Sequence, residues 1–450
     1  MPGHTLIQKI FAAHTAPDAS LNPGDIIWLD LDVRTARDFG GANVVKNYRE
    51  QYGDAPVADP ARTFFTFDLV APASNIPYAN NQQACREWAR AQGVRVYDVD
   101  AGIGSHVAME QGRVHPGDTF VGTDSHLNIL GAVGAFGQGM GDQDIAFAFK
   151  TGRTWFEIPP TMKIVITGDL RPPCTARDLT LAVLRVLGSN GALGRAVEFY
   201  GTAIDALDLA GRITLASQVT EMGGIIGFPV TNQESGIMNQ RESEPASQRI
   251  SRAAGQQLSS SSVYRLPSTV YPPHVSRFTF HADFDAEYVE TVEIDIRDLE
   301  PLLACPPSPS NVKPVREAAG RRIDSVFLGS CTNGRFEDFA AVAEIVGGQH
   351  IAPHVMATVV PATRAVYAQM LDSGVLQTLF DAGFIISNPG CGGCASGHLG
   401  MTGKGEVQIS TSNRNFPGKQ GAGETYLASP VTAAWCALKG EITAPASDSD

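Results

Sequence analysis

Two stretches decide how this chain folds: Ser325-Val-Phe-Leu-Gly329-Ser330-Cys331-Thr332-Asn333-Gly334-Arg335, and Phe384-Ile-Ile-Ser-Asn388-Pro389-Gly390-Cys391-Gly392-Gly393-Cys394. Each is a short apolar, β-rich run that ends in a glycine-bearing polar turn. After the first, Phe336, Phe339, Ala340 and Ala343 recur on one side of a helical pattern. The same grammar appears elsewhere. Thr119–Gly122 leads into Asp124-Ser125-His126, Met162–Thr167 into Gly168-Asp169, and Val355–Val360 into Pro361, where proline opens a helix. Strands alternating with helices predict an α/β protein with largely parallel sheets. Ligands in such sheets gather at the carboxyl ends of the strands, which is where the unusual residues sit here.

Composition narrows the function. At 450 residues the chain has room for roughly three domains. Hydrophobic residues make up 43% and charged residues 18%, which suits a large buried core and argues against wholesale disorder. Lys and Arg number 34 against 47 Asp and Glu, a net charge of −13. Such an acidic chain repels phosphate backbones, which argues against nucleic acid as a partner. Met1–Lys9 shows no cationic segment followed by an apolar core, so no secretory signal is expected. No apolar run approaches the roughly 18 residues of a membrane span. Seven cysteines are odd in number and too sparse for a disulfide scaffold, so a reduced, cytoplasmic setting is expected.

The run Asn232–His281 is polar, carries four serines at Ser259–Ser262, and reads as a flexible insertion. The alternation in Thr291–Ile296 then predicts a new strand and a new domain. The segment Gly131–Gly141 lacks a dinucleotide fingerprint, and its glycines are read as serving close helix packing.

Cys391-Gly-Gly-Cys394 alone is ambiguous. A redox pair, half of a zinc site and a plain tight turn all accommodate it. Cys331 adds a third thiol at a strand end just before a helix, a setting that favours thiolate. Three thiolates from two strand-end turns suit an iron–sulfur cluster better than a closed zinc site. With three ligands instead of the usual four, one iron keeps an open position and acts as a Lewis acid. Cys85 and Cys436 lie in helical, apolar surroundings and read as core residues.

Gly329–Arg335, Asn388–Gly397 and Ser410-Thr-Ser-Asn413-Arg414-Asn-Phe-Pro-Gly-Lys419 together resemble the aconitase superfamily, in particular the large subunits of 3-isopropylmalate dehydratase and homoaconitase. Thr5–Ala12, Pro23–Ile26, Val121–His126, Ala304–Pro309 and Tyr426–Pro430 fall in family order. The resemblance implies three α/β domains around a cluster cleft, at residues 1–168, 169–289 (with the polar insertion at 232–281) and 290–450. It implies a [4Fe–4S] cluster on Cys331, Cys391 and Cys394, and a hydroxy di- or tricarboxylic acid of the 2-alkylmalate type as substrate. Asp68, Asp124, His126 and Glu198 are implied as catalytic residues, with Glu198 orienting His126. Ser125, Asn413, Arg414 and Lys419 are implied in substrate binding, and Arg335 is a further candidate. The family's mobile C-terminal swivel domain has no counterpart here, so a separate small subunit is expected to supply its groups.

Three positions depart from the family. Lys419 stands where arginine is usual, which keeps the charge but loses the two-pronged grip on a carboxylate. Leu69 replaces the histidine of an Asp-His pair, and Ser105 takes the place of a second histidine, with His106 one residue late. Losing a general acid costs roughly 10²–10⁴-fold, so a specialised paralogue is expected. The competing readings are a non-catalytic cluster sensor or RNA binder, and a zinc protein.

Overall fold

The computed structural model describes residues 3–231, 281–394 and 399–445. Three larger sheets and one two-stranded antiparallel pair, Ile26–Asp30 with Arg153–Glu157, organise them. The first is wholly parallel, with five strands in the order Arg95–Tyr97, Thr63–Thr66, Val33–Arg37, Thr119–Gly122, Phe136–Gly139. The chain lays down Val33–Arg37 first, builds outward on one side, then returns to build on the other. The winding direction therefore reverses between Val33–Arg37 and Thr119–Gly122, and the crevice at such a switch point is where ligands bind.

The third sheet repeats this logic. Its parallel strands run Glu424–Leu427, Val407–Ser410, Ser325–Gly329, Met356–Val360, Ile385–Ile386, with Leu302–Ala304 and Val312–Pro314 added antiparallel at one edge. Its switch point lies between Ser325–Gly329 and Val407–Ser410. Ser325–Gly329 is buried along its whole length, as expected for a parallel strand covered on both faces. Leu328, Phe339, Val342, Val359, Ile409 and Cys436 share the core beside it, and Cys85 packs in the core of the first sheet.

The second sheet is parallel, in the order Ile226–Pro229, Ala196–Tyr200, Thr161–Thr167, Glu290–Asp295. The alternating run forms a strand, and Glu290–Asp295 pairs in parallel with Thr161–Thr167 at the edge of the second sheet. The insertion expected at 232–281 lies, except for His281, outside the described residues.

Two local expectations change. The helix after Val360 starts at Arg364, capped by the Thr363 hydroxyl accepting from Val366 N, so Pro361 precedes it by three residues. The glycines of 131–141 serve a strand as well as a turn. A Cβ on Gly137 would lie 2.0 Å from the Leu127 carbonyl oxygen, and one on Gly139 2.4 Å from that of Asp124. These glycines let strand Phe136–Gly139 lie directly beneath the turn that carries Asp124 and His126.

The carboxyl ends of the first and third sheets face one another and are stitched together by backbone. Ile103 N donates to Ala362 O at 2.8 Å, and Cys391 N to Asp68 O at 2.8 Å. Two switch points thus meet at one place.

Candidate active site

The three expected cysteines converge at this junction. Cys331, Cys391 and Cys394 are buried and free of disulfides. Cys331 and Cys391 share one apolar cluster with Leu69, Ile103 and Ala362, while Cys394 packs on Phe327 and Val360. The turn before Cys331 is strained: Ser330, at φ 80°, is the one non-glycine residue with positive φ among those described. Strain of this kind persists where surrounding structure overrides it, commonly at functional sites. Gly392, at φ +53°, folds the Cys391–Cys394 turn onto Val360, and a Cβ there would meet Val360 Cγ2 at 2.6 Å.

The thiols sense one another. Burial, then repulsion from Cys394 and Asp124, pushes Cys331 up to about 12, and Cys391 is raised well above the ordinary thiol range by burial, partly offset by Arg37. Without metal these groups hold their protons, and a bound metal displaces them. Two sulfurs already carry N–H donors: Asn413 Nδ2 donates to Cys331 Sγ at 3.2 Å and Arg37 Nη2 to Cys391 Sγ at 2.8 Å. Hydrogen bonds to sulfur are a device proteins use to tune iron–sulfur clusters. Among the described residues no group of three or more His, Cys, Asp or Glu side chains, the three cysteines included, lies close enough to hold a single ion. The donor chemistry, three buried thiols with amide and guanidinium donors at the sulfurs, fits an iron–sulfur cluster.

Arg37, which sequence reasoning missed, is the hub. It ends strand Val33–Arg37 at the switch point. Its Nε and Nη2 donate to Asp68 Oδ1 at 2.9 and 2.6 Å, and its Nη1 to Asp124 Oδ1 at 3.0 Å. Asp68 Oδ2 accepts from Gly104 N at 2.8 Å. One positive charge faces two carboxylates and a thiol. Burial tends to raise Asp124, but Arg37 and His126 outweigh it and hold its carboxyl below the usual range. Asp68 loses the contest: burial, only partly relieved by Arg37 and aggravated by Asp38 and Asp124, pushes it up to about 7. Asp68 is 1% exposed and both its oxygens are engaged, so it acts through Arg37 and not on a substrate directly.

A second ionic chain runs beside the first. Arg414 Nε donates to Glu221 Oε1 at 2.6 Å, and His126 Nε2 donates to the same oxygen at 3.1 Å. The other ring nitrogen, His126 Nδ1, lies 3.4 Å from Ser125 Oγ. Burial tends to raise Glu221, but the hydrogen bond and charge of His126, with Arg414, hold it below the usual carboxylate range. Asn413 is clamped from behind by Gln218 Nε2, which donates to its Oδ1 at 2.8 Å. Ser125 is exposed and Lys419 half-buried on the loop after Arg414.

The partner expected for His126 is corrected. Glu198 is fully buried elsewhere, accepting from Leu6 N at 2.7 Å, Tyr200 OH at 2.5 Å and Tyr288 OH at 2.8 Å. It secures the N-terminal helix Leu6–Ala13 to the second sheet, and Glu221 does the work assigned to it. A carboxylate closing an apolar helix just before Gly223-Gly224 was the available signal for Glu221.

His106 does not stand in for a proton donor. It is fully buried, its Nε2 donates to Cys331 O at 2.9 Å, and its Nδ1 faces Arg335 Nη1 at 3.3 Å. Burial and Arg335 lower it to about 3, so it stays neutral and braces the cysteine turn. Arg335 is paired at 2.9 Å with Glu110, behind that turn. Ser105 Oγ is buried and has no partner among the described residues.

Known proteins resemble this chain along nearly its whole length. The model of the aconitase family (aconitate hydratase) matches residues 8–322 and 317–440. A probable 3-isopropylmalate dehydratase large subunit from Methanothermobacter thermautotrophicus is 38% identical over 98% of this chain and 99% of its own length. The homoaconitase large subunit of Thermus thermophilus is 38% identical over 98% and 97%. A probable methanogen homoaconitase large subunit from Methanothermobacter thermautotrophicus is 37% identical over 98% and 97%. Family members generally bind a [4Fe–4S] cluster. Among the described residues no helix is long and apolar enough to cross a membrane. With its thiols, switch points and ionic chains so arranged, and matched along nearly its whole length, this chain belongs to the aconitase family and is a hydro-lyase.

Proposed function

We propose that this chain is the cluster-bearing large subunit of a cytoplasmic two-subunit dehydratase or isomerase acting on a 2-alkylmalate-type hydroxy acid such as 3-isopropylmalate. A separate small subunit completes its site. The observation that carries the reading is the meeting of three buried thiols with the Arg414–Glu221–His126 chain at the junction of two strand-end switch points. A [4Fe–4S] cluster on Cys331, Cys391 and Cys394, when bound, supplies a Lewis acid for loss of a hydroxyl group.

The chain's own groups do the rest. Arg414 spends only Nε on Glu221, and its terminal nitrogens have no partner among the described residues, so they offer a two-pronged clamp for a carboxylate. Lys419 adds a positive charge on the same loop. Glu221 fixes His126 so that Nδ1 holds or takes a proton, and Asp124 accepts from His126 N at 3.1 Å to set the turn. Ser125, the exposed member of that turn, is placed to hydrogen-bond substrate oxygen. Leu69, packed against the apolar cluster that holds Cys331 and Cys391, makes the wall there less polar than a histidine would, which favours an acid with an alkyl branch.

The test is anaerobic reconstitution with iron and sulfide, addition of a candidate small subunit, and measurement of alkene formation from 3-isopropylmalate, homocitrate and citrate. Turnover of a branched alkylmalate above citrate supports the reading. A cluster-loaded complex inert toward all three overturns it.

A further inference from the structure

Arg37 carries an inference beyond its packing. An arginine has five N–H donors. Here four are committed, two to Asp68, one to Asp124 and one to Cys391 Sγ, so Arg37 is not a spare clamp for substrate. It is buried, and its charge is fixed against one sulfur of the thiol trio at 2.8 Å. We propose that Arg37 is a positioning residue for the cluster: it sets the electron affinity of the bound group through Cys391 and locks Asp68 and Asp124 around it. This rests on the reading of the three thiols as cluster ligands.

The physics is directional. A cationic N–H at a ligand sulfur draws electron density from it, and a fixed positive charge in a buried site stabilises the state carrying one more electron. Arg37 therefore raises the cluster's reduction potential and slows loss of iron. Lysine keeps the charge but presents it as a point, and cannot reach Asp68, Asp124 and Cys391 together. The neighbouring Arg34 is an internal control. It is buried on the same strand, but its donors go to Leu31 O at 2.9 Å and to Thr63 and Asp59, away from the cysteines.

The experiment is a spectroelectrochemical titration of the reconstituted chain, with iron release to a chelator followed in parallel. For Arg37→Gln the reduced-to-oxidised ratio at a fixed applied potential is expected to fall at least tenfold, and iron to leave roughly 10–100-fold faster. Arg37→Lys is expected to move both readouts in the same direction by less, and it carries the test if the glutamine variant does not fold. Arg34→Gln is expected to lower thermal stability and leave the potential unchanged. A wild-type potential in Arg37→Gln and Arg37→Lys, or an equal shift in Arg34→Gln, overturns the inference while the cluster reading stands. A wild-type chain that takes up no iron and sulfide overturns the cluster reading itself, and the inference with it.

Discussion

The two ends of the first sheet hold similar residues in opposite conditions. At the amino ends, Asp32 accepts from His14 Nε2 at 2.7 Å, Arg62 Nη1 at 2.9 Å and Thr119 N at 3.0 Å, while His14 Nδ1 donates to Ile10 O at 2.7 Å. There one half-exposed carboxylate gathers two cations and a backbone N–H. Burial tends to raise Asp32, but the His14 hydrogen bond and Thr119 outweigh it and bring it down to about 2. At the carboxyl ends, one guanidinium serves Asp68, Asp124 and Cys391, and Asp68 is pushed up to about 7. The same fold thus keeps a satisfied network where it needs rigidity and an over-subscribed one where it holds chemistry.

The largest expected effect breaks the over-subscribed end outright. Cys391→Ser should abolish stable cluster uptake and cost about 4 kcal/mol of transition-state stabilisation, roughly a thousandfold in rate. Iron analysis and turnover check it, and retention of the full iron complement with normal turnover would contradict it. Next comes Glu221→Gln, which leaves the shape but removes the charge shared by His126 and Arg414. A loss of about 10–100-fold in kcat/KM is expected, with little change in melting temperature.

Glu198→Gln sharpens the same contrast from the other side. Its carboxylate serves Leu6 N and two tyrosines, so about 1–3 kcal/mol of stability should go while kcat stays within roughly twofold of wild type. A denaturant midpoint measured beside turnover distinguishes it from Glu221→Gln. If Glu198→Gln cripples turnover and Glu221→Gln does not, the assignment of partners to His126 is wrong.

The smallest effect is pH-linked. Burial lowers His14, but the Asp32 hydrogen bond and Ile10 O outweigh it and raise its pKa. Its contribution is therefore full below about pH 6.5 and fades as pH rises through the folded value. Asp32 is lowered, so its contribution is present above about pH 4 and fades as pH falls toward 2. The pair should stabilise most between about pH 4 and 6.5, by roughly 1–2 kcal/mol after solvent screening. His14→Gln should flatten this part of the stability–pH curve and leave turnover unaltered; an unchanged curve would contradict the pairing.

Much of this was legible in the sequence because thiols at strand ends are rare and chemically loud. Cys331, Cys391 and Cys394 announce themselves by residue type, turn and spacing, whereas Asn413 and Arg414 are implied by the family resemblance of their turn. Arg37 and Glu221 do not. Arg37 ends an ordinary strand, and its meaning lies in Asp68, Asp124 and Cys391, which are 31, 87 and 354 residues away. Glu198 shows the converse error. The family resemblance set it beside His126, but its carboxylate is committed to Leu6 N and two tyrosines. The strand Glu290–Asp295 was readable as a strand, but alternation alone does not say which sheet it joins.

Metal and sulfide analysis of the chain after anaerobic reconstitution, read with low-temperature electron paramagnetic resonance of the reduced protein, tests the cluster assignment most directly. About four irons and four sulfides per chain are expected, with loss of the cluster signal in Cys331→Ser, Cys391→Ser and Cys394→Ser alike. One tightly held zinc per chain, or full iron content in any of those three variants, would contradict it.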